Sequence, residues 1–433
     1  MEMVTVLGAG LAGCEAAWQL ASRGIGVRLV EMKPETMSLA HASADFAELV
    51  CSNSLRANAL SNAVGLLKEE MRLLGSLIID CADKTRVEAG GALAVDRGKF
   101  SALITERIRS HPLIDIINER AEEIPSGHVI VATGPLTDGC LAGAIGDVAG
   151  GESKFLHFYD AAAPTVSFDS IDMTKAFFAS RYGKGTPDYI NCPMDEDEYR
   201  RFHGELCTAR EAEVHGFEDK SVFEGCMPVE VMARRGYDAL RYGPMKPKGL
   251  YDPETGRESF AVCQLRRDNS EGTIYNIVGF QTHLAFPEQK RVFGMIPALR
   301  DAEFLRYGVM HRNTYLSSPK LLDRYYRLKS ETRIRFAGQI TGVEGYVESA
   351  ASGLLVGIET SRELFGKEFI DFPKITAIGA LSLYISDSSV SEFQPMNINF
   401  GIIEPLAYRV KGKLNKNLAI SERALEYIRK RDV

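Results

Sequence analysis

This sequence predicts an α/β protein in which a Rossmann domain is split by an inserted α+β domain, and three observations carry that prediction. A short apolar run, Met3 to Leu7, leads into Gly8-Ala9-Gly10-Leu11-Ala12-Gly13 and then into a stretch of small residues with helical character. A second glycine-rich turn, Gly338 to Gly345, stands near the far end of the chain and opens another small-residue helix. Between the two, from about 160 to about 305, short alternating runs broken by proline and glycine read as antiparallel strands.

The first segment continues through a glycine turn into Val27-Arg28-Leu29-Val30-Glu31, giving strand, G-x-G-x-x-G, helix, strand and acid. In that setting Gly8 permits the tight turn, Gly10 lets backbone approach a pyrophosphate, and Gly13 lets helix pack on strand. Glu31 stands where a carboxylate accepts a ribose hydroxyl, and the helix N-terminus favours the anion. The fingerprint alone leaves FAD and NAD both open. Two later segments favour FAD: the buried strand His128 to Gly134, ending in Ala132-Thr133-Gly134, and the run Ile334 to Gly357, in which Gly338, Gln339, Gly342 and Gly345 form the turn before the helix. This closing segment resembles the one with which flavoproteins of the glutathione-reductase type complete their cofactor site. The implied organisation is a first part of the FAD-binding domain over 1–159, an inserted α+β domain over 160–305 and a second part over 306–433. Tyr189 to Asn191, Ala261 to Leu265 and Thr273 to Phe280 are the insert's expected strands, with a helix over Asp195 to Leu206.

Composition narrows the function classes. The 433 residues are 45% hydrophobic and 25% charged, the profile of a globular chain rather than a disordered or fibrous one. No run of about eighteen apolar residues occurs, so no membrane span is expected and the protein is read as cytoplasmic. Eight cysteines without a C-x-x-C pair, and eight histidines without ligand spacing, argue against a disulfide framework and against a metal site. The net charge of −7 disfavours a general nucleic-acid binder, so any RNA contact must rest on local basic clusters. Those at Arg234-Arg235, Lys246 and Lys248, Arg324 to Lys329, Lys411 to Lys416 and Arg429 to Arg431 qualify, although each also reads as an ordinary solvated surface.

Two cysteines stand in settings unlike the rest. Cys51 ends an apolar run and is followed by Ser52-Asn53-Ser54, whose polar groups could stabilise a thiolate; Asn53 or Ser54 is expected to cap a helix just beyond. Cys226 precedes Met227-Pro228 and a short helix beginning near Val229, whose first N–H groups would face it. Packing is the plainer reading of either cysteine taken alone. Cys14, Cys81, Cys140, Cys192, Cys207 and Cys263 have no reactive context and are read as structural. Asp96-Arg97 reads as an ion pair or helix cap, and Glu344 as a helix-start carboxylate beside the glycine turn.

The segments FAELVCSNSLRAN (46–58), GGALAVDR (90–97), FEGCMPVEVMA (223–233), YGPMKP (242–247), VGFQTHL (278–284), RYGVMHRNTY (306–315) and AGQITGVEGYVESAASG (337–353) closely resemble the folate- and FAD-dependent tRNA (uracil-5-)-methyltransferase family, related to the glucose-inhibited-division-A type of tRNA-modifying flavoprotein. The resemblance implies methylation of uracil C5 at the T-loop uridine of tRNA, position 54. Methylenetetrahydrofolate would give the carbon, FAD the hydride, and NADH or NADPH the electrons. It implies Cys51 and Cys226 as the catalytic pair, without dividing their roles, and His311, Arg312 and Asn313 as the folate-contacting group. Chemistry asks for such a set: uracil C5 becomes nucleophilic once a thiolate adds at C6, and a base must then remove the C5 proton and expel the sulfur. Two rival readings are the same chemistry on a ribosomal RNA uridine and a non-catalytic FAD-binding scaffold. Oligomeric state is not legible.

Overall fold

The computed structural model describes residues 3–38, 40–149, 156–183, 186–212, 227–308, 310–390 and 393–431. A six-stranded sheet organises the ends of the chain, in the spatial order Arg327–Leu328, Glu331–Phe336, Val129–Val131, Met3–Leu7, Gly26–Glu31, Ile114–Asn118. The last five run parallel, and the first pairs antiparallel at the edge. Its central strands, Met3–Leu7 and Val129–Val131, are nearly continuous apolar runs, as expected where a parallel sheet is covered on both faces.

Two of those helices, Leu11–Ala21 and Tyr346–Leu364, lie against each other at unusually close range. A Cβ on Gly353 would stand 2.2 Å from the Ala12 carbonyl oxygen, and one on Gly357 2.8 Å from that of Ala16. The small-residue helices found in the sequence are therefore small because their backbones touch. This contact joins the N-terminal and C-terminal parts into one core running from Val4 to Ile428.

Between Val131 and Arg327 the chain leaves this sheet and builds a second one, entirely antiparallel, in the order Phe177–Ala179, Tyr189–Met194, Ala261–Arg267, Ile274–Ile277, Thr165–Ser167, Phe304–Arg306. It has its own core, from Val166 to Ala302. The helix Glu196–Thr208 covers it, opened by a capping box in which Asp195 and Glu198 satisfy each other's backbone N–H groups. A two-stranded ribbon, Leu156–Ala161 with Met310–Tyr315, carries the chain between the two sheets.

The helix Ala377–Ser386 is anchored by a buried acid. Glu70 accepts from the N–H groups of Ala377 at 2.7 Å and Ile378 at 2.9 Å, and burial still pushes its carboxyl up to about 7. A raised carboxyl pKa contributes stability that is full below the unfolded value of 4.5 and is lost as pH rises through about 7. We expect the melting temperature of the wild type, measured against Glu70→Gln, to fall progressively from pH 5 to pH 8. A difference between the two that does not change with pH would contradict this.

Candidate functional site

A cleft with about 1250 Å³ of empty space, its open mouth included, lies at the C-terminal ends of the parallel strands, where such sheets bind ligands. Gly8, Ala9 and Gly10 form one wall, Glu31 and Lys33 the next, Thr133-Gly134-Pro135 the third, and Gly338, Gln339, Tyr346 and Ser349 the last. Of the cofactor residues expected from sequence, Gly8, Gly10, Glu31, Gly134, Gly338 and Gln339 line this cleft. Gly13, Gly342 and Gly345 do not; they support it. A Cβ on Gly13 would stand 1.8 Å from the Gly8 carbonyl oxygen, Gly342 holds φ +83° against Phe393, and Gly345 holds φ +108° as the residue before the helix Tyr346–Leu364.

The cleft fits a dinucleotide such as FAD on the evidence of Gly10 and Glu31. Gly10 has φ −73°, open to any residue, and a Cβ there would meet no protein atom within 4 Å. The protein itself thus has no need of glycine at this position, whereas a dinucleotide lying against the helix N-terminus does. The Glu31 carboxylate accepts from the Ala9 N–H at 2.7 Å and the Lys33 N–H at 3.0 Å, which fixes it facing the loop with acceptor capacity to spare for ribose hydroxyls. The N-terminus of Tyr346–Leu364 presents Tyr346 and Ser349 to the opposite end of the cleft.

Cys51 lies on the turn beside that end. Val50 and Tyr346 line the cleft, and the Tyr346 hydroxyl accepts from the N–H groups of Cys51 at 2.7 Å and Ser52 at 3.2 Å. Burial first, and the neighbouring Cys51 second, push the Tyr346 phenol up, so it stays protonated. The expected helix cap is absent. Ser54–Ala57 is a strand, paired with Ala92–Val95, and the next helix is Ala63–Leu73. Asn53 is instead fully buried, donating to the carbonyls of Val95 (3.0 Å) and Arg267 (2.9 Å) and accepting from Arg266 (3.0 Å), while Arg56 holds φ +62°, which no helix accommodates.

Cys226 lies outside the described residues. Pro228 precedes the short helix Val229–Arg234 as expected, but the Val229 N–H donates to the Gln281 carbonyl at 2.7 Å and is not open to a neighbour. His311, Arg312 and Asn313 lie on the strand Met310–Tyr315, where Asn313 is buried. That strand is tied to the cleft by Thr314 N–H to Pro135 O and Leu316 N–H to Ile340 O, both 2.8 Å. Burial pushes the thiols of Cys14, Cys81, Cys192 and Cys263 up, the second and third to about 12, which keeps them protonated and inert. Among the described residues no group of acids, histidines and cysteines could hold a metal, and no helix is long and apolar enough to cross a membrane.

Asp96 caps the helix Arg97–Ser110 by accepting from Lys99 N–H at 3.0 Å, and Glu344 accepts from Gln339 at 2.6 Å. In the basic cluster Arg324 to Lys329, Arg324 pairs with Asp371 and Arg327 with Asp323 and Glu363, while Lys329 is exposed and donates to the Pro319 carbonyl. Lys411, Lys413 and Lys416 are exposed, and among the described residues none is in an ion pair.

Fold and cleft together define a Rossmann flavoprotein of the glutathione-reductase type carrying an inserted antiparallel domain. GidA of Aquifex aeolicus has this fold: the solved structure matches 99% of this chain and 73% of its own with a TM-score of 0.70 at 16% identity. Residues 3–368 match the family model described as glucose inhibited division protein A. The chain is 60% identical over 430 residues to the methylenetetrahydrofolate–tRNA-(uracil-5-)-methyltransferase TrmFO of Acetivibrio thermocellus, covering 99% of this chain and 98% of that protein. It is 59% identical to TrmFO of Desulforamulus reducens over 427 residues, 98% and 96% of the two chains. The chain belongs to the glucose-inhibited-division-A family and, within it, to the TrmFO proteins.

Proposed function

We propose that this protein methylates uracil C5 of the T-loop uridine of tRNA, position 54, with methylenetetrahydrofolate as carbon donor, FAD as its bound cofactor and NADH or NADPH as reductant in the cytoplasm. The observation that carries the reading is the Cys51 turn, hydrogen-bonded through Tyr346 to the wall of a dinucleotide cleft. A thiol so placed can add to C6 of a uracil presented at the cleft mouth and raise electron density at C5. The second cysteine expected from sequence, Cys226, belongs to the same proposal, as do His311, Arg312 and Asn313 as folate contacts. Bound FAD, once reduced, supplies the hydride that completes the methyl group. The division of the chain near 159 and 305 is part of this reading and is supported by the two separate cores.

The test is an incubation with methylenetetrahydrofolate, reduced nicotinamide and separate tRNA and ribosomal RNA pools, followed by nucleoside analysis. 5-Methyluridine is expected in the tRNA pool alone. Its appearance only in ribosomal RNA would move the substrate, and its absence from both would leave a scaffold.

Because Arg324 and Arg327 are paired within the chain, the start of the helix Lys413–Arg429 is the better supported of the two candidate RNA surfaces. Three lysines there have no acid in the first turn to offset them, which is unfavourable next to the positive end of a helix unless an anion is to be bound. Replacing Lys411, Lys413 and Lys416 with glutamine is expected to weaken tRNA binding and to lower the slope of log affinity against log salt by about two to three, with flavin content intact. An unchanged slope would place the RNA elsewhere.

A further inference from the structure

Two guanidinium groups from different parts of the chain bond the Cys51 turn, and a third lies near the first of them. Arg97, first residue of the helix Arg97–Ser110, donates through Nη1 to the Leu49 carbonyl at 2.5 Å. Its Nη2 and Nε grip Asp268 at 2.9 and 3.2 Å, a two-point pair with the residue just beyond the insert strand Ala261–Arg267. Arg266, buried on that same strand, donates to Ser52 Oγ at 2.7 Å and to Asn53 Oδ1 at 3.0 Å. Arg306 follows in the second sheet, donating to the Ala40 carbonyl at 3.2 Å.

The acids facing this group are fewer. Asp268 is one. Glu48 is the other, and its carboxylate accepts from the amides of Ala42 and Ser43. Tyr346 stays neutral, and burial, with Lys33 adding to it, holds His41 below the usual imidazole range. Among these described residues the arginines, with Lys33 behind them, outnumber the acids around the Cys51 turn. Burial disfavours the charge on Arg97, but Asp268 above all, then Tyr346 and Cys51, hold its guanidinium charged.

We propose that Arg97 is the positioning residue of the Cys51 thiolate: locked by Asp268 of the inserted domain, its guanidinium fixes the Leu49 carbonyl and faces the cysteine turn with a full positive charge, while Arg266 fixes Ser52 and Asn53. The Cys51 thiol is thus activated from across the domain boundary, whether it adds to C6 or takes the C5 proton. A thiolate beside a fixed cation is favoured over the thiol, and only arginine can bind a carboxylate at two points and a carbonyl at a third. The inference rests on Cys51 being the reactive thiol of the proposed function, but it concerns ionisation and can be measured without RNA or folate.

The experiment is alkylation of the full-length protein by iodoacetamide across pH 6 to 10, read by mass spectrometry on the peptide carrying Cys51. In the wild type the midpoint is expected at least one unit below the roughly 8.5 of a free thiol. Arg97→Met is expected to raise it, slowing modification at pH 7 about tenfold or more, and Arg97→Lys is expected to fall between the two. A purely structural role would loosen the turn and speed alkylation at every pH with no change of midpoint, and that result overturns the proposal. A wild-type midpoint at or above that of a free thiol also overturns it. Flavin absorbance and melting temperature are recorded for each variant, and if Arg97→Met does not fold, the Arg97→Lys midpoint decides. Failure of methyl transfer in Cys51→Ala is a separate readout, so failure of the one claim is told apart from failure of the other.

Discussion

Gly10→Val is expected to give a folded protein without flavin, whereas Gly13→Val is expected not to fold at all. The two glycines stand three residues apart in one fingerprint, and the structure separates their duties. At Gly13 an added Cβ meets the Gly8 carbonyl oxygen at 1.8 Å, and backbone on both sides is held by the parallel sheet. Relief would require moving helix from strand, a loss of more than about 4 kcal/mol. At Gly10 the same Cβ meets nothing in the protein, so the only group a valine displaces is the ligand. Absorbance near 450 nm and circular dichroism distinguish the two outcomes. A Gly10→Val protein that keeps its full flavin content would contradict the assignment of the cleft.

Cys51→Ala is expected to lower methyl transfer by at least about a thousandfold while the protein remains folded and yellow. The substitution removes one partly exposed sulfur, at a stability cost of about 1 kcal/mol or less. The Cys51 N–H, Ser52 and Asn53 hold the turn through bonds that the substitution leaves in place, so the cleft survives. Cys226→Ala is expected to be equally inactive, since addition at C6 and loss of the C5 proton are both obligatory. Methylation at the normal rate by either variant would show that cysteine to be packing.

The parts of this account that were legible in the sequence are those encoded locally. Strand, glycine turn, helix and acid follow one another within thirty residues, and each requires its residue type for reasons of backbone geometry. The antiparallel insert was legible from its alternating runs. What was not legible depends on residues far apart. The helix expected after Cys51 is a strand because Asn53, a good cap by type, is engaged by Arg266, 213 positions away, and by Val95 and Arg267. Tyr346 carries no sign of its role, since its partners Cys51 and Ser52 lie 295 and 294 residues before it. The partners of Arg324 and Arg327, Asp371 and Glu363, come from other segments and are not visible in the basic run itself. In the second glycine-rich segment the turn is plain from the sequence, while Gly353 and Gly357, which let the two helices touch, signal only as a spacing of four on a helix whose partner is unknown beforehand.

The central claim is covalent catalysis on tRNA by a cysteine at the mouth of the flavin cleft, and trapping the adduct tests it most directly. A tRNA carrying 5-fluorouridine at position 54, incubated with the protein, methylenetetrahydrofolate and reduced nicotinamide, is expected to form a stable complex, because fluorine cannot leave C5 as a proton does. Digestion and mass spectrometry are expected to place the nucleotide on the peptide carrying Cys51 or on that carrying Cys226, and thereby to divide their roles. No covalent complex, or one attached to any other residue, would contradict the account.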